Sequence, residues 1–254
     1  MDYQTFWRTY FPEQELLSRE QALAKTGAKQ QFATIEELRD YQKAVAPVYG
    51  AYELETFQLV TMEKLLPALD QFSQGGHLIS LGSGPGSYEL WLLAMGFIRE
   101  CTLVDISESM LERAREIAKS LDLVHRVQTM CEDITTVSLP EGCADACISV
   151  NSLHWSQGWR EWIKKAIKYT KPGGFLFLSG SLFFPQSQIT QEQFVGVAAR
   201  GITIRDQGYI QPATIIGNQL AYSTRYYVTG NKKTRKEMSG NTNMTLKMRK
   251  KKKK

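Results

Sequence analysis

The segment Ile79-Ser80-Leu81-Gly82-Ser83-Gly84-Pro85-Gly86-Ser87 restricts this chain more than any other. A short apolar run, His77–Leu81, enters it, and the helix-forming stretch Ser87–Met95, closed by Gly96, leaves it. Three glycines within five residues between a strand and a helix serve two needs. The chain must turn through angles that a β-carbon disfavours, and a ligand must come close to the backbone. N–H groups left free at the helix start would favour a negatively charged or electron-rich ligand group.

The flanking pattern supplies the frame for that loop. Cys101–Asp105 reads as a second strand, and Ser107 as the N-cap of a helix in which Met110, Ala114, Ile117, Ala118 and Leu121 recur at helical spacing. Arg126–Met130 and Ala144–Val150 are further strands, followed by a helix over 159–169, a turn at Lys171-Pro172-Gly173-Gly174 and a strand at Phe175–Leu178. Thr190–Arg200 reads as another helix, and Gly201–Ile210 and Leu220–Val228 as two closing strands. This order predicts a doubly wound α/β domain: a mainly parallel, seven-stranded sheet with helices on its faces. Asp105 then ends the second strand, 23 residues after Gly82. In doubly wound sheets an acid at that place accepts hydrogen bonds from ribose hydroxyls.

Upstream, residues 1–73 are rich in Gln, Glu, Leu, Ala and Tyr and read as two to four helices, with Leu59, Met62, Leu65, Leu66 and Leu69 on one face of the last. The expected organisation is a helical cap over 1–73, a ligand-binding domain over 74–230 and a basic, disordered tail over 231–254. The tail accounts for the formal charge of +5: residues 232–254 hold eleven Lys or Arg against Glu237 alone, and without them 20 basic residues face 25 acidic ones. The folded body is therefore mildly acidic, and the basicity does not indicate a nucleic-acid groove on the domain. No apolar run approaches the ~20 residues that span a bilayer, and the N-terminus lacks a secretory pattern. Cys101, Cys131, Cys143 and Cys147 show no metal-ligand spacing. They read as reduced, buried thiols, which points to the cytoplasm.

Two ligand classes use such a frame. A dinucleotide loop is GxGxxG; here the third glycine comes one residue early, giving GxGxG. That pattern resembles the class I S-adenosylmethionine-dependent methyltransferases, a Rossmann-like family whose ligand has no pyrophosphate. The resemblance implies S-adenosylmethionine as cofactor and methyl transfer as activity. It further implies that Gly82, Ser83, Gly84 and Gly86 form the cofactor loop, that Asp105 holds the ribose, and that Ile106 and Met110 lie near the adenine. Asp133, in Cys131-Glu132-Asp133-Ile134, would accept from the exocyclic amine with Ile134 behind it. Asn151 opens the segment where the methionine end meets the substrate. Asp145 resembles an acid that often opens strand four, and Lys-Pro-Gly-Gly before strand five is another frequent feature. The chain departs from the family once: many members carry an acid two residues before the first glycine, and here that position is Ser80. A serine accepts a hydrogen bond but brings no charge to the methionine end.

A sulfonium already activates the methyl group, so positioning supplies much of the rate, and a base is needed only for a protonated nucleophile. His154, in Asn151-Ser152-Leu153-His154-Trp155, is the candidate base; its competing role is packing or hydrogen bonding beside Trp155. Leu-His-Trp followed by a Trp-rich helix is similar to small-molecule methyltransferases. Trp155 and Trp159 then wall a substrate pocket; equally, Trp159 and Trp162 read as core-facing residues of their helix, Trp162 above all. Tyr49 and Tyr52 reach the site if the N-terminal helices form a lid, and pack elsewhere otherwise. The partner this implies is a small-molecule methyl acceptor attacked through O, N or C, with no metal, no nucleic acid and no membrane. Two alternatives stay open: a protein or RNA methyltransferase recruited by the tail, against which no Asn-Pro-Pro-Tyr-like segment follows strand four, and a non-catalytic S-adenosylmethionine-binding module. The lysine run itself reads either as a binding or address signal, or as a solvated tail or the translation of an adenine-rich message end.

Overall fold

The computed structural model describes residues 1–11, 32, 34–49, 55–69, 76–155, 158–180, 189–210, 213–216, 219–222, 225–234 and 236–238, with backbone alone at 48, 55–57, 154, 213–216 and 219–222. Helices α1 (Tyr3–Tyr10), α2 (Ile35–Val45) and α3 (Glu55–Leu69) precede β1 (His77–Leu81). Then follow α4 (Ser87–Ala94), β2 (Glu100–Asp105), α5 (Glu108–Ser120), β3 (Val127–Cys131), β4 (Ala144–Ser149), α6 (Trp159–Tyr169), β5 (Thr170–Gly180) and α7 (Gln191–Ala198). The chain closes through β6 (Ile202–Ile210), a small hairpin of β7 (Ala213–Ile216) and β8 (Gln219–Tyr222), and β9 (Arg225–Lys232).

The seven-stranded sheet has the order β3-β2-β1-β4-β5-β9-β6. Pairing is parallel from β3 to β5 and antiparallel at β5–β9 and β9–β6. The chain winds outward from β1 through β2 to β3, then returns to place β4 on the other side of β1. That reversal opens a crevice beyond the carboxyl ends of β1 and β4, where doubly wound sheets bind ligands.

Alternation along the strands divides the core. Leu78, Leu103, Ile148 and Phe177 face one side, with α1, α3, α4 and α5 packed over them. Ile79, Val104, Cys147, Leu176 and Leu178 face the other, against α6 and α7. The N-terminal helix belongs to the first of these cores: Phe6, Trp7 and Phe11 are fully buried in it. It covers the outer face of α4, whose sequence SYELWLLA is buried from Ser87 to Leu93. Tyr3 stacks on Tyr88 and meets Trp91 edge-on, each at 5.6 Å, and the Trp91 indole donates to the Met1 carbonyl. A third cluster, Phe32, Leu38, Tyr41, Val45, Ala46 and Met110, joins α2 to α5 above the crevice. Arg113 of α5 ties this region down by donating to the carbonyls of Ala46 and Tyr10.

Ser107 caps α5 as its sequence predicts, accepting from the Met110 amide. Other details differ from expectation. Lys171-Pro172-Gly173-Gly174 is not a turn; it lies inside β5, at a register shift opposite Ala144–Ala146. Lys171 reaches Asp145 there, and Asn231 of β9 donates to the Gly173 carbonyl, so neighbouring strands anchor a bulge in which Gly173 has a φ of +80°. The stretch expected as one strand over 220–228 is split between β8 and β9. β9 also runs past the expected start of the tail: Lys232 is buried and donates to the Lys168 and Thr170 carbonyls. Residues 239–254 lie outside the described residues. All four cysteines are free, but only Cys101 and Cys147 are buried: Cys143 is half-buried, and Cys131, which ends an edge strand, is exposed. Among the described residues, no helix is long and apolar enough to cross a membrane.

Candidate active site

The crevice holds a cavity of about 290 Å³. Its floor begins with the glycine loop, which is tied to β2. The amides of Gly82 and Ser83 donate to the Val104 carbonyl, and that of Gly84 donates to Asp105 Oδ2 at 2.7 Å. These loop amides are thus committed within the protein rather than open as a phosphate cradle. Gly82 must be a glycine here: its φ is +72°, and a Cβ would stand 2.5 Å from the Ser152 Cβ. Gly86 also has positive φ, and a Cβ there would meet Leu103 at 2.9 Å. It serves the packing of loop against sheet and does not line the cavity.

Asp105 is buried at the cavity wall, with Oδ1 accepting from Ser107 N and Oδ2 from Gly84 N. Burial pushes its carboxyl above the ordinary value, and the amides of Ser107, Gly84 and Ile106 offset part of that rise. Each oxygen keeps a second lone pair for a ligand hydroxyl. Ile106 and Met110 lie beside it on the lining, as do Glu132, Asp133 and Ile134 after β3. Asp133 uses one oxygen to accept from Thr135 N, which fixes the turn that presents it.

At the end of β4, Asn151 has φ +56°, a conformation uncommon outside glycine but tolerated best by Asn and Asp. Its backbone amide donates to Ser179 Oγ, while its buried Oδ1 has no partner among the described residues. The next residue, Ser152, shares a 2.7 Å hydrogen bond with Ser149, and both hydroxyls reach the Leu81 carbonyl. This lock holds the ends of β1 and β4 together beneath the cavity.

The structure brings Gly82, Ser83, Gly84, Asp105, Ile106 and Met110 to one cavity, together with Asp133, Ile134, Asn151, Trp155 and Tyr49. The Tyr49 ring lies against Gly84. Ser80 is buried beneath the floor and does not line it. His154 lies in the helical turn Leu153–Trp155 after β4, but its side chain lies outside the described residues, as does Tyr52. Trp159 is fully buried in the core and walls no pocket, whereas Trp162 packs in that core and also reaches the cavity. Among the described residues, no cluster of His, Cys, Asp or Glu could hold a metal ion.

Sequence reasoning missed Glu89, Ser152 and Gln58, all of which line the cavity. Glu89 is the most consequential. Ser80 Oγ donates to its Oε1 at 2.5 Å. Burial drives its carboxyl up to about 7, against the lowering effect of the Ser80 bond. The signal was available: a single carboxylate in a helix otherwise apolar on every face has to meet a polar partner.

Among the described residues, the lining includes Glu89, Asp105, Glu132 and Asp133 but no Lys or Arg. Such a wall suits a cationic ligand and opposes a pyrophosphate. The orphaned Oδ1 of Asn151 and Oε2 of Glu89 are acceptors awaiting a donor. The residues present therefore fit a sulfonium- and ammonium-bearing cofactor with a ribose.

Comparison with known proteins agrees. The family model described as a methyltransferase domain matches residues 79–178. Residues 79–178 thus form a class I S-adenosylmethionine-dependent methyltransferase domain. The cofactor of this family is S-adenosylmethionine. A malonyl-[acyl-carrier protein] O-methyltransferase of Marinomonas sp. (strain MWYL1) is 29% identical over 124 residues, which are 48% of this chain and 44% of that protein. The matched part thus spans less than half the length of that relative. Among solved structures, the [4+2]-cyclase SpnF superposes with a TM-score of 0.55 at 18% identity, covering 70% of this chain and 76% of that one. A chain from the complex between the Haloferax volcanii Trm112 methyltransferase activator and a methyltransferase gives 0.62 at 14% identity, covering 76% and 98%. These likenesses establish the fold. That one such structure is a cyclase is a reminder that this fold does not by itself define a reaction.

Proposed function

We propose that this methyltransferase-family chain transfers the methyl group of S-adenosylmethionine to an O, N or C nucleophile of a small, largely apolar molecule. The observation that carries this reading is the two-sided cavity. Carboxylates and loop backbone form the floor at the strand ends, and Phe32, Ile35, Leu38, Val45 and Trp155 form an apolar roof. Asp105 would hold the ribose, Ile106, Met110, Asp133 and Ile134 the adenine, and Asn151 the methionine end. The cofactor supplies an activated methyl group. The protein's part is to orient the acceptor in line with the methyl–sulfur bond and to exclude water, and the apolar roof would serve both. His154, in the turn that follows β4, is the candidate base for an acceptor that arrives protonated.

The same acidic floor argues against an RNA acceptor, whose phosphates it would repel. The test is calorimetry with S-adenosylmethionine and S-adenosylhomocysteine, followed by transfer of a labelled methyl group to a panel of small apolar acceptors. Binding and labelled product are expected. If neither ligand binds, the cofactor assignment fails; if both bind and no acceptor is labelled, the protein is a binding module.

A further inference from the structure

Glu89 is 1% exposed and lines the cavity. Its Oε1 is occupied by Ser80 Oγ, and its Oε2 has no hydrogen-bond partner among the described residues. The charged neighbour acting on it, Asp105 on β2, has the same sign. The Cys101 thiol, also on β2, is pushed far up by burial and stays neutral. From the helical side, the Tyr3 hydroxyl of α1 is directed to Gln58 of α3 and to Ser87, the first residue of Glu89's own helix. A carboxylate so buried, half satisfied and next to another acid is costly when ionised without a counter-charge. A cation arriving in the cavity removes that cost.

The sulfonium offers no N–H donor, whereas the cofactor's ammonium group offers three. Its acceptors have to be buried and unpaired, and Glu89 Oε2 and Asn151 Oδ1 on the lining are both. We infer that Glu89, held in place by Ser80, is the anionic partner of the cofactor's ammonium group, standing in for the acid that many relatives carry at the Ser80 position. Ser80 is then a positioning residue: its hydroxyl occupies one carboxylate oxygen and leaves the other for the ligand. The negative charge has moved nine residues along the chain, from the end of β1 to the first turn of α4, with little change of place in the fold.

The test compares two ligands of the full-length protein. S-adenosylhomocysteine carries the ammonium group; 5′-methylthioadenosine shares the nucleoside but lacks the amino-acid end. Calorimetry should show that E89Q weakens S-adenosylhomocysteine roughly ten- to a hundredfold, the range for losing one charged hydrogen bond, while 5′-methylthioadenosine binds as before. The double variant S80D/E89Q returns a carboxylate to the same spot and should recover most of the lost affinity. In the wild-type protein near neutral pH, titrations in buffers of different ionisation enthalpy should reveal a proton released by S-adenosylhomocysteine and not by 5′-methylthioadenosine. That last comparison needs no variant and so is independent of whether E89Q folds. Equal losses for both ligands, an unaffected S-adenosylhomocysteine affinity, or no difference in proton release would each overturn the inference.

Discussion

Glu89 also makes a prediction about stability in the absence of any ligand. Its carboxyl titrates at about 7 in the folded protein against an ordinary 4.5, because burial penalises the charged form. The folded state therefore holds a proton that the unfolded chain releases between those values. Stability must fall as pH rises through this window, with no penalty below 4.5 and the full penalty above 7. Between pH 5 and pH 8 the linkage relation gives a loss on the order of 2 to 3 kcal/mol from this one group. E89Q keeps an acceptor for Ser80 Oγ but cannot ionise. Urea denaturation of wild type and E89Q without cofactor, at pH 5 and pH 8, isolates the effect, since the other titrating groups are common to both proteins. The amide substitution carries its own pH-independent offset, so the quantity to read is the change in the difference. It should favour E89Q by roughly 2 to 3 kcal/mol more at pH 8 than at pH 5. A difference that stays constant across that range would refute the reasoning, because it would mean that Glu89 titrates alike in both states. Saturating S-adenosylhomocysteine should stabilise the wild type more at pH 8 than at pH 5, since the ligand's cation favours the ionised form.

Asp105→Asn should weaken S-adenosylhomocysteine and 5′-methylthioadenosine by the same factor, roughly ten- to a hundredfold, because both carry the ribose; calorimetry showing a loss for only one of them would remove Asp105 from the ribose. Gly82→Ala should cost at least about 2 kcal/mol of stability, because it forces a β-carbon into positive φ and against Ser152; an unchanged thermal midpoint would show that the loop can relax.

What the chain revealed without its structure follows the range of the forces involved. The strand–loop–helix at 77–95, the Ser107 cap and the acid ending β2 are local, and they lie where the spacing predicts. The seven-stranded sheet was legible because the alternation of strands and helices leaves few other topologies. Lys171–Gly174 misled because its composition is that of a turn, while its conformation is imposed by β4 and β9. The end of β9 was obscured by lysines: Lys232 counts as tail by composition, yet its ammonium is taken up by two main-chain carbonyls. Trp159 and Trp162 are three residues apart on one helix, and only packing decides that the second reaches the cavity while the first does not.

The reading of Ser80 changed most. Taken along the chain, a serine where relatives carry an acid is a missing charge, and its consequence is weaker hold on the cofactor. Charge at a site, however, belongs to a volume of space and not to a sequence position. Because α4 starts directly after the loop and folds back over β1, its third residue arrives beside the strand's last turn inward, and Ser80 meets Glu89 there. The substitution at 80 and the carboxylate at 89 are intelligible only as a pair: serine without the glutamate would leave the cavity floor short of a charge, and glutamate above an aspartate at 80 would crowd two acids into one buried space, where one of them would have to take up a proton. It follows that a single substitution at either position should be harmful in a way that the double exchange is not, and that non-additivity, more than the loss at either site, is the mark of a displaced counter-charge.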